Sequence, residues 1–155
     1  MKENSIKING IAHIALSVRN IESSKVFYKE LLPFMGLKLI HESSKSCYHI
    51  GGRTGILIQQ ADNKNEEDIV SFSQKNVGLH HFCFRLLSRQ DVHLTSNKLK
   101  LMNANIIRGP LEGPWVKGYF YVLFEDPDGI RLEANFVPEK GVFSQNNNFN
   151  PDKDY

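Results

Sequence analysis

GIAHIALSV (residues 10–18) aligns without a gap on GLHHFCFRL (residues 78–86), and this repeat decides the fold. His13 lies over His81, an offset of 68 residues (81 minus 13). In both stretches apolar residues alternate with small or polar ones, which is typical of a strand that packs one face on a core. Because neighbouring strand residues face opposite sides, we expect His81 to face away from the core and its neighbour His80 to face the other way.

A helix-start signal follows each of the two repeated strands. Asn20 and Ser88 stand seven residues after the aligned histidines and are typical N-cap residues. We predict helices over 20–35 and 88–104. Gly36 and Asn105 are expected to end them in the left-handed conformation.

Three further strands close each half of the chain. Aligning Gly55 with Gly129 at the start of the last strands places Gln59 over Glu133. The chain is therefore interpreted as an α+β protein made of two tandem βαβββ modules that need one another to bury a core. The expected organisation is one domain over 1–155, with module one at 8–60, a polar linker at 61–77, module two at 78–137 and a flexible tail at 142–155.

Bulk composition narrows the class of protein. Nineteen basic residues stand against seventeen acidic ones, a net charge of +2 that is scattered along the chain, which argues against nucleic acid as a partner. Two cysteines in 155 residues favour a reducing compartment. No apolar run resembles a signal peptide or a spanning helix, so we expect a cytoplasmic protein without a membrane partner.

The repeat also predicts a metal site. If the modules pack about a pseudo-twofold axis, equivalent strand positions converge, and His13, Gln59, His81 and Glu133 meet in one cleft. A single strand histidine is more often a hydrogen-bonded structural residue, but a glutamate on a packed strand needs a cation or donors. Two imidazoles and a carboxylate suit one divalent metal ion of intermediate softness, namely iron, nickel, manganese, cobalt or zinc.

GIAHIALSV, GLHHFCFRL and EDPDGIRLEANFVPEKG (125–141) together resemble the vicinal oxygen chelate superfamily. This superfamily includes glyoxalase I, extradiol dioxygenases, methylmalonyl-CoA epimerase and the fosfomycin- and bleomycin-resistance proteins. The resemblance covers residues 8 to about 140. It implies a half-open mixed β-barrel around a central cleft with the helices outside, a homodimer, and the ligand set His13, Gln59, His81 and Glu133.

The resemblance leaves several reactions open on a small substrate that chelates through adjacent oxygens. The leading interpretation is a glyoxalase-like isomerase or lyase of the lactoylglutathione lyase type, in which Glu133 also serves as the base. Gln59 departs from the glutamate of bacterial glyoxalases and matches the epimerases. Extradiol dioxygenase chemistry, with Tyr121 as proton donor, an epimerase and a non-catalytic binding protein are the alternatives. The glycines and Trp115 in LEGPWVKG (111–118) predict a mobile flap.

Overall fold

The computed structural model describes residues 6–62, 72–138 and 149–151. Residues 63–71 of the predicted linker lie outside this part, as does the predicted tail apart from 149–151. The chain forms two compact units, Met1–Ile69 (unit 1) and Val70–Tyr155 (unit 2). No helix within the described ranges is long and apolar enough to cross a membrane.

Both units have the same element order and the same sheet. Unit 1 contains β1 (His13–Val18), α1 (Ile21–Phe34), β2 (Lys38–Glu42), β3 (Ser46–Gly51) and β4 (Thr54–Gln60). Unit 2 contains β5 (Phe82–Arg85), α2 (Arg89–Leu101), β6 (Asn105–Glu112), β7 (Phe120–Glu125) and β8 (Arg131–Phe136). The strand orders are β1-β4-β3-β2 and β5-β8-β7-β6, and the first strand of each sheet runs parallel to the last. The predicted α+β class with tandem βαβββ modules is confirmed.

The helix ends follow from local hydrogen bonding. The Asn20 side chain accepts hydrogen bonds from the backbone N–H groups of Glu22 and Ser23, and the Ser88 side chain accepts one from that of Asp91. Gly36 takes the expected left-handed conformation after α1, with φ 86°. After α2 the left-handed residue is Asn103, with φ 53°, so the prediction of Asn105 was wrong because the helix ends earlier.

Each helix covers one face of its own sheet. α1 packs on β2, β3 and β4, and α2 packs on β6, β7 and β8. Buried side chains recur at helical spacing along both helices: Ile21, Phe27, Leu31 and Leu32 in α1, and Val92, Thr95 and Leu99 in α2. The other face of each sheet therefore remains available to carry polar side chains.

The strand registers correct the alignment of the last strands. Ala15 is opposite Leu57 in unit 1, whereas Cys83 is opposite Glu133 in unit 2. Since Ala15 and Cys83 are two residues after the aligned histidines, Leu57 is the equivalent of Glu133, and the offset there is 76 (133 minus 57). The equivalent of Gln59 is Asn135. The prediction that Gln59 occupies the position of Glu133 was wrong.

The two glycines that suggested the wrong alignment have different structural roles. Gly129 lies in the turn before β8 with φ 80°, a conformation that favours glycine. Gly55 lies inside β4, where a Cβ would come within 1.9 Å of the Tyr48 hydroxyl oxygen. Glycine is thus required once for a turn and once for close packing, so the two positions are not equivalent.

The main difference between the units is the length of one hairpin. Lys38 pairs with Ile50 across β2 and β3, a separation of 12 residues (50 minus 38), whereas Asn105 pairs with Glu125 across β6 and β7, a separation of 20 (125 minus 105). Unit 2 therefore carries eight additional residues in this hairpin, and they lengthen β6 and form the segment 113–119. This segment contains Trp115 and Tyr119.

Candidate metal centre

His80 and His81 precede β5 instead of lying within it, because the strand begins at Phe82. Strict alternation therefore does not apply, and the prediction that the two side chains point apart was wrong. The His80 and His81 rings are in edge contact, with centroids 5.0 Å apart, and their Nδ1 atoms are 2.8 Å apart. One Nδ1 must donate to the other. If His81 is the donor, its Nε2 is the unprotonated nitrogen, the form suited to a metal ion.

Glu133 occupies the centre of the polar face of β8 and has no solvent-exposed surface. Its Oε1 accepts hydrogen bonds from the Tyr119 hydroxyl, from Cys83 Sγ at 3.3 Å and from Asn135 Nδ2 at 3.3 Å. Oε1 is thus surrounded by donors from three strands or their ends. The side chain of Glu133 is held in one orientation by this arrangement.

The second carboxylate oxygen of Glu133 is in a different environment. Oε2 is buried and has no hydrogen-bond partner among the described residues. His81 Nε2 is 3.6 Å from Oε2, which is too long for a good hydrogen bond. A buried carboxylate oxygen without a donor is costly, so this pair of atoms is where a cation would be most stabilising.

Burial governs the protonation of both groups. Burial, followed by the charges of His80 and Arg131, lowers the pKa of His81 to about 4, so its imidazole is neutral at pH 7. Burial also raises the pKa of Glu133, while the hydrogen bonds from Tyr119, Cys83 and Asn135 oppose that rise. A neutral imidazole is the form that binds metals.

The two predicted ligands in unit 1 are separated along their sheet. His13 is exposed at the start of β1, opposite Gly55. Gln59 is opposite Ser17, four positions further on, or about 13 Å along the strands at 3.3 Å per residue. The Gln59 amide donates to Ser17 Oγ at 3.4 Å. The structure therefore does not bring Gln59 close to His13.

The predicted flap around Trp115 is a packed turn. Trp115 is 2% exposed, and its ring contacts those of Tyr119 and Tyr121 with centroids 4.8 and 5.2 Å apart. Backbone hydrogen bonds from Gly113 to Tyr119 and from Tyr119 to Val116 close the loop. The expectation that this loop is a mobile flap was wrong, because the indole fills the space between two tyrosine rings.

Sequence reasoning missed the tyrosine that contacts Glu133. Tyr121 was the tyrosine predicted for the site, but it is Tyr119 that donates to the carboxylate, and Tyr121 packs in the aromatic cluster. Cys83 and Asn135 could have been identified from strand parity, since they share the face of His81 and Glu133. The contact from Tyr119 depends on the course of the 113–119 segment, for which the sequence carries no local signal.

Two of the predicted ligands, His81 and Glu133, lie together in unit 2. Within the described part of the chain, no group of three or more His, Cys, Asp or Glu side chains is arranged to hold a metal ion. His81 and Glu133 nevertheless fit as two ligands, since one offers a neutral imidazole and the other a buried oxygen that lacks a donor.

Comparison with known proteins identifies relatives of the whole fold. Over 128 residues the chain is 32% identical to metallothiol transferase FosB of Staphylococcus haemolyticus, covering 83% of this chain and 84% of that protein. It is 29% identical over 124 residues to YqjT of Bacillus subtilis, covering 78% and 94%. The crystal structure of lactoylglutathione lyase from Agrobacterium tumefaciens matches with a TM-score of 0.63 at 18% identity, covering 84% and 95%.

A family model covers most of both units. The model of the Glyoxalase/Bleomycin resistance protein/Dioxygenase superfamily matches residues 10–134, which include both repeated strands and Glu133. The same residues carry the two βαβββ units and the site built around Glu133. The chain therefore belongs to the Glyoxalase/Bleomycin resistance protein/Dioxygenase superfamily.

Proposed function

We propose that the chain is a metal-dependent enzyme that acts on a small molecule chelating the metal through adjacent oxygens, in a glyoxalase-like isomerase or lyase reaction. The observation that carries this proposal is Glu133 Oε2, a fully buried carboxylate oxygen with no donor in the described ranges, 3.6 Å from His81 Nε2. A divalent cation bound by both atoms would compensate the buried charge. The pair is a poor fit to a purely structural role, in which Oε2 would accept a hydrogen bond.

Within unit 2 the proposed ligands are His81 and Glu133, and His13 stays a ligand predicted from the sequence repeat. His13 is included because it is the repeat equivalent of His81, and Gln59 is left out because its equivalent is Asn135. The metal would be iron, nickel, manganese, cobalt or zinc. When bound, such an ion supplies Lewis acidity that stabilises a substrate oxyanion.

The proposed roles of the surrounding residues follow from their contacts. Glu133 Oε2 is the one carboxylate oxygen here that could also accept a substrate proton, because Oε1 is already fully hydrogen-bonded. Trp115 and Tyr121 form an apolar wall that keeps water away from Tyr119 and Oε1. Tyr121 remains a candidate proton donor only if a substrate reaches its hydroxyl group.

Transfer of a thiol is the second candidate function. It is favoured by the FosB relatives, whose name describes a metallothiol transferase. The three donors on Oε1 also favour it, because a carboxylate fixed in this way is better suited to remain a ligand than to move as a base. The predicted extradiol dioxygenase is kept as an outcome of the tests, since two histidines and one carboxylate also form the facial triad of non-haem iron oxygenases.

Elemental analysis of the purified protein tests the metal site. One divalent metal ion per chain is expected, and His13→Ala and His81→Ala should each remove it. His41→Ala is the matched control, because His41 is exposed on β2 and should leave the metal content unchanged. Full retention of metal in His81→Ala would contradict the proposal.

Glu133→Gln tests the reaction class. The amide can still offer an oxygen to a metal but cannot accept a proton, so an isomerase should lose solvent-proton exchange into a bound substrate analogue. Exchange at the parent rate in the metal-loaded variant would show that Glu133 is a ligand only and would remove the main support for the isomerase, and oxygen uptake with catechols would favour the dioxygenase. The predicted homodimer remains a proposal that analytical ultracentrifugation would check.

A further inference from the structure

Tyr119 has no counterpart with the same function in unit 1, and it contacts the carboxylate proposed to bind metal. It lies at the end of the 113–119 segment, which replaces the tight Ser43–Ser46 turn of unit 1. Its hydroxyl donates to Glu133 Oε1 and accepts from Asn135 Nδ2 at 2.6 Å. A single hydroxyl group therefore connects Glu133 to the neighbouring amide.

The position of this hydroxyl is fixed by packing as well as by hydrogen bonding. Tyr119 is 8% exposed, and its ring is in contact with the rings of Trp115 and Tyr121. Because these rings are buried in one cluster, Tyr119 cannot change rotamer without opening a cavity. Its hydroxyl is thus preorganised toward Glu133.

We propose that Tyr119 is a positioning residue that holds Oε1 of Glu133 and thereby directs Oε2 toward the metal, as a single-oxygen ligand. This inference rests on the proposed function. Without the hydroxyl, Oε1 would keep only Asn135 Nδ2 and the weak thiol donor of Cys83, both at 3.3 Å. Glu133 could then rotate or present both oxygens to the metal.

Residues that orient a metal ligand by a hydrogen bond typically contribute about 10–100-fold to metal affinity. Tyr119→Phe should weaken Co²⁺ binding by roughly that factor, measured by competition with a chelator. The visible absorption of bound Co²⁺ should also change, because its bands report the number and geometry of the ligands. Tyr121→Phe is the matched control for metal affinity, since it removes one hydroxyl from the same aromatic cluster, while the hydroxyl that donates to Glu133 is that of Tyr119.

A double-mutant cycle separates positioning from general damage to the fold. In the Glu133→Gln background, Tyr119→Phe should have little further effect on Co²⁺ affinity, because Tyr119 acts through the carboxylate. Asn135→Ala should weaken binding in the same direction but less, as it removes the donor that orients the Tyr119 hydroxyl. An equal loss of affinity in both backgrounds would overturn the inference.

The parent protein distinguishes failure of the inference from failure of the proposed function. If the parent binds neither Co²⁺ nor Zn²⁺, the proposed function fails and the inference fails with it. If the parent binds one Co²⁺ and Tyr119→Phe binds it with the same affinity and spectrum, only the role of Tyr119 is wrong.

Discussion

The two units share one topology but differ in the residues at their equivalent positions. At the centre of the polar sheet face, unit 2 has Glu133 and Asn135 where unit 1 has Leu57 and Gln59. In the helix-covered core it is unit 1 that has the polar residue. His49 of unit 1 is equivalent to Phe124 of unit 2, and both side chains are fully buried. A repeat therefore conserves the backbone while the side chains that carry chemistry diverge.

The longer hairpin explains why a buried carboxylate is stable in unit 2. The eight additional residues between β6 and β7 bring Trp115 and Tyr119 against the sheet, and Tyr119 supplies a donor to Glu133. Unit 1 has the short turn Ser43–Ser46 at this place and an apolar Leu57 instead. A buried charge and the loop that stabilises it occur together in the same unit.

The largest effect is expected when Glu133 is replaced by its unit 1 equivalent. Glu133→Leu should abolish stoichiometric metal binding, a greater loss than the roughly 10–100-fold of an orienting residue. The fold should remain intact, because the substitution removes a buried charge that is costly to desolvate. Metal analysis and thermal unfolding check this, and metal binding at parent affinity would show that the two units do not differ in the way proposed.

Removing the aromatic side chain of the longer hairpin should destabilise the protein strongly. Trp115→Ala deletes a side chain that is 2% exposed, and truncations of this kind typically cost about 3–5 kcal/mol in unfolding free energy. Urea unfolding measures the loss. Lys117→Ala is a matched control, since Lys117 is exposed in the same loop. A loss no larger than that of the control would mean that the segment is a flap after all.

Replacing His49 by the residue at its equivalent position should reduce the sensitivity of the protein to acid. Neither ring nitrogen of His49 has a partner among the described residues, and burial lowers its pKa below the ordinary value of 6.5. Below pH 6.5 the His49 imidazole therefore binds a proton more readily in the unfolded chain than in the folded one. The free energy of unfolding consequently falls as the pH decreases. The charge of Lys29 lowers the pKa further, and that of Glu42 opposes this.

His49→Phe should therefore be stabilising relative to the parent at pH 5, and this advantage should shrink toward pH 8. The free energy of unfolding of the parent and of His49→Phe is measured at both pH values. The contribution of His81 is the same in the two proteins, so it cancels in the difference between them. His41→Phe, at an exposed site, should not change the pH dependence. A stability difference that is constant across this range would show that His49 does not titrate on unfolding in the expected way.

The smallest effect is expected at Gln59. Gln59→Ala should leave metal content and affinity unchanged, because Gln59 is the equivalent of Asn135 and bonds to Ser17. Metal analysis of this variant beside His13→Ala checks the register of β1 and β4. Loss of metal in Gln59→Ala would restore the fourth ligand predicted from the sequence.

Much of the fold was predictable because its signals are local. The N-caps Asn20 and Ser88 and the helical stripe of α1 follow from short-range patterns that the structure confirms. The repeat of His13 and His81 correctly predicted two modules with one topology.

The details of the site were less predictable because they depend on contacts between distant segments. The register of β4 against β1 is set by backbone pairing between distant segments, which a glycine-to-glycine alignment cannot detect. The contact of Tyr119 with Glu133 requires the folded 113–119 segment. Alternation does not apply to His80 and His81, because β5 begins only at Phe82, the residue after His81. The edge contact between the two rings could therefore not be predicted.

By itself, the sequence determined the class of this protein, the two βαβββ units, the helix starts and the residue types that could bind a metal. These features follow from periodicity and capping, which depend on neighbours in the chain. Only the tertiary structure decided that Leu57 instead of Gln59 is equivalent to Glu133, and that Oε1 of Glu133 is held by donors while Oε2 is left without one. The physical reason is that strand register and the satisfaction of buried polar atoms depend on packing between segments far apart in sequence.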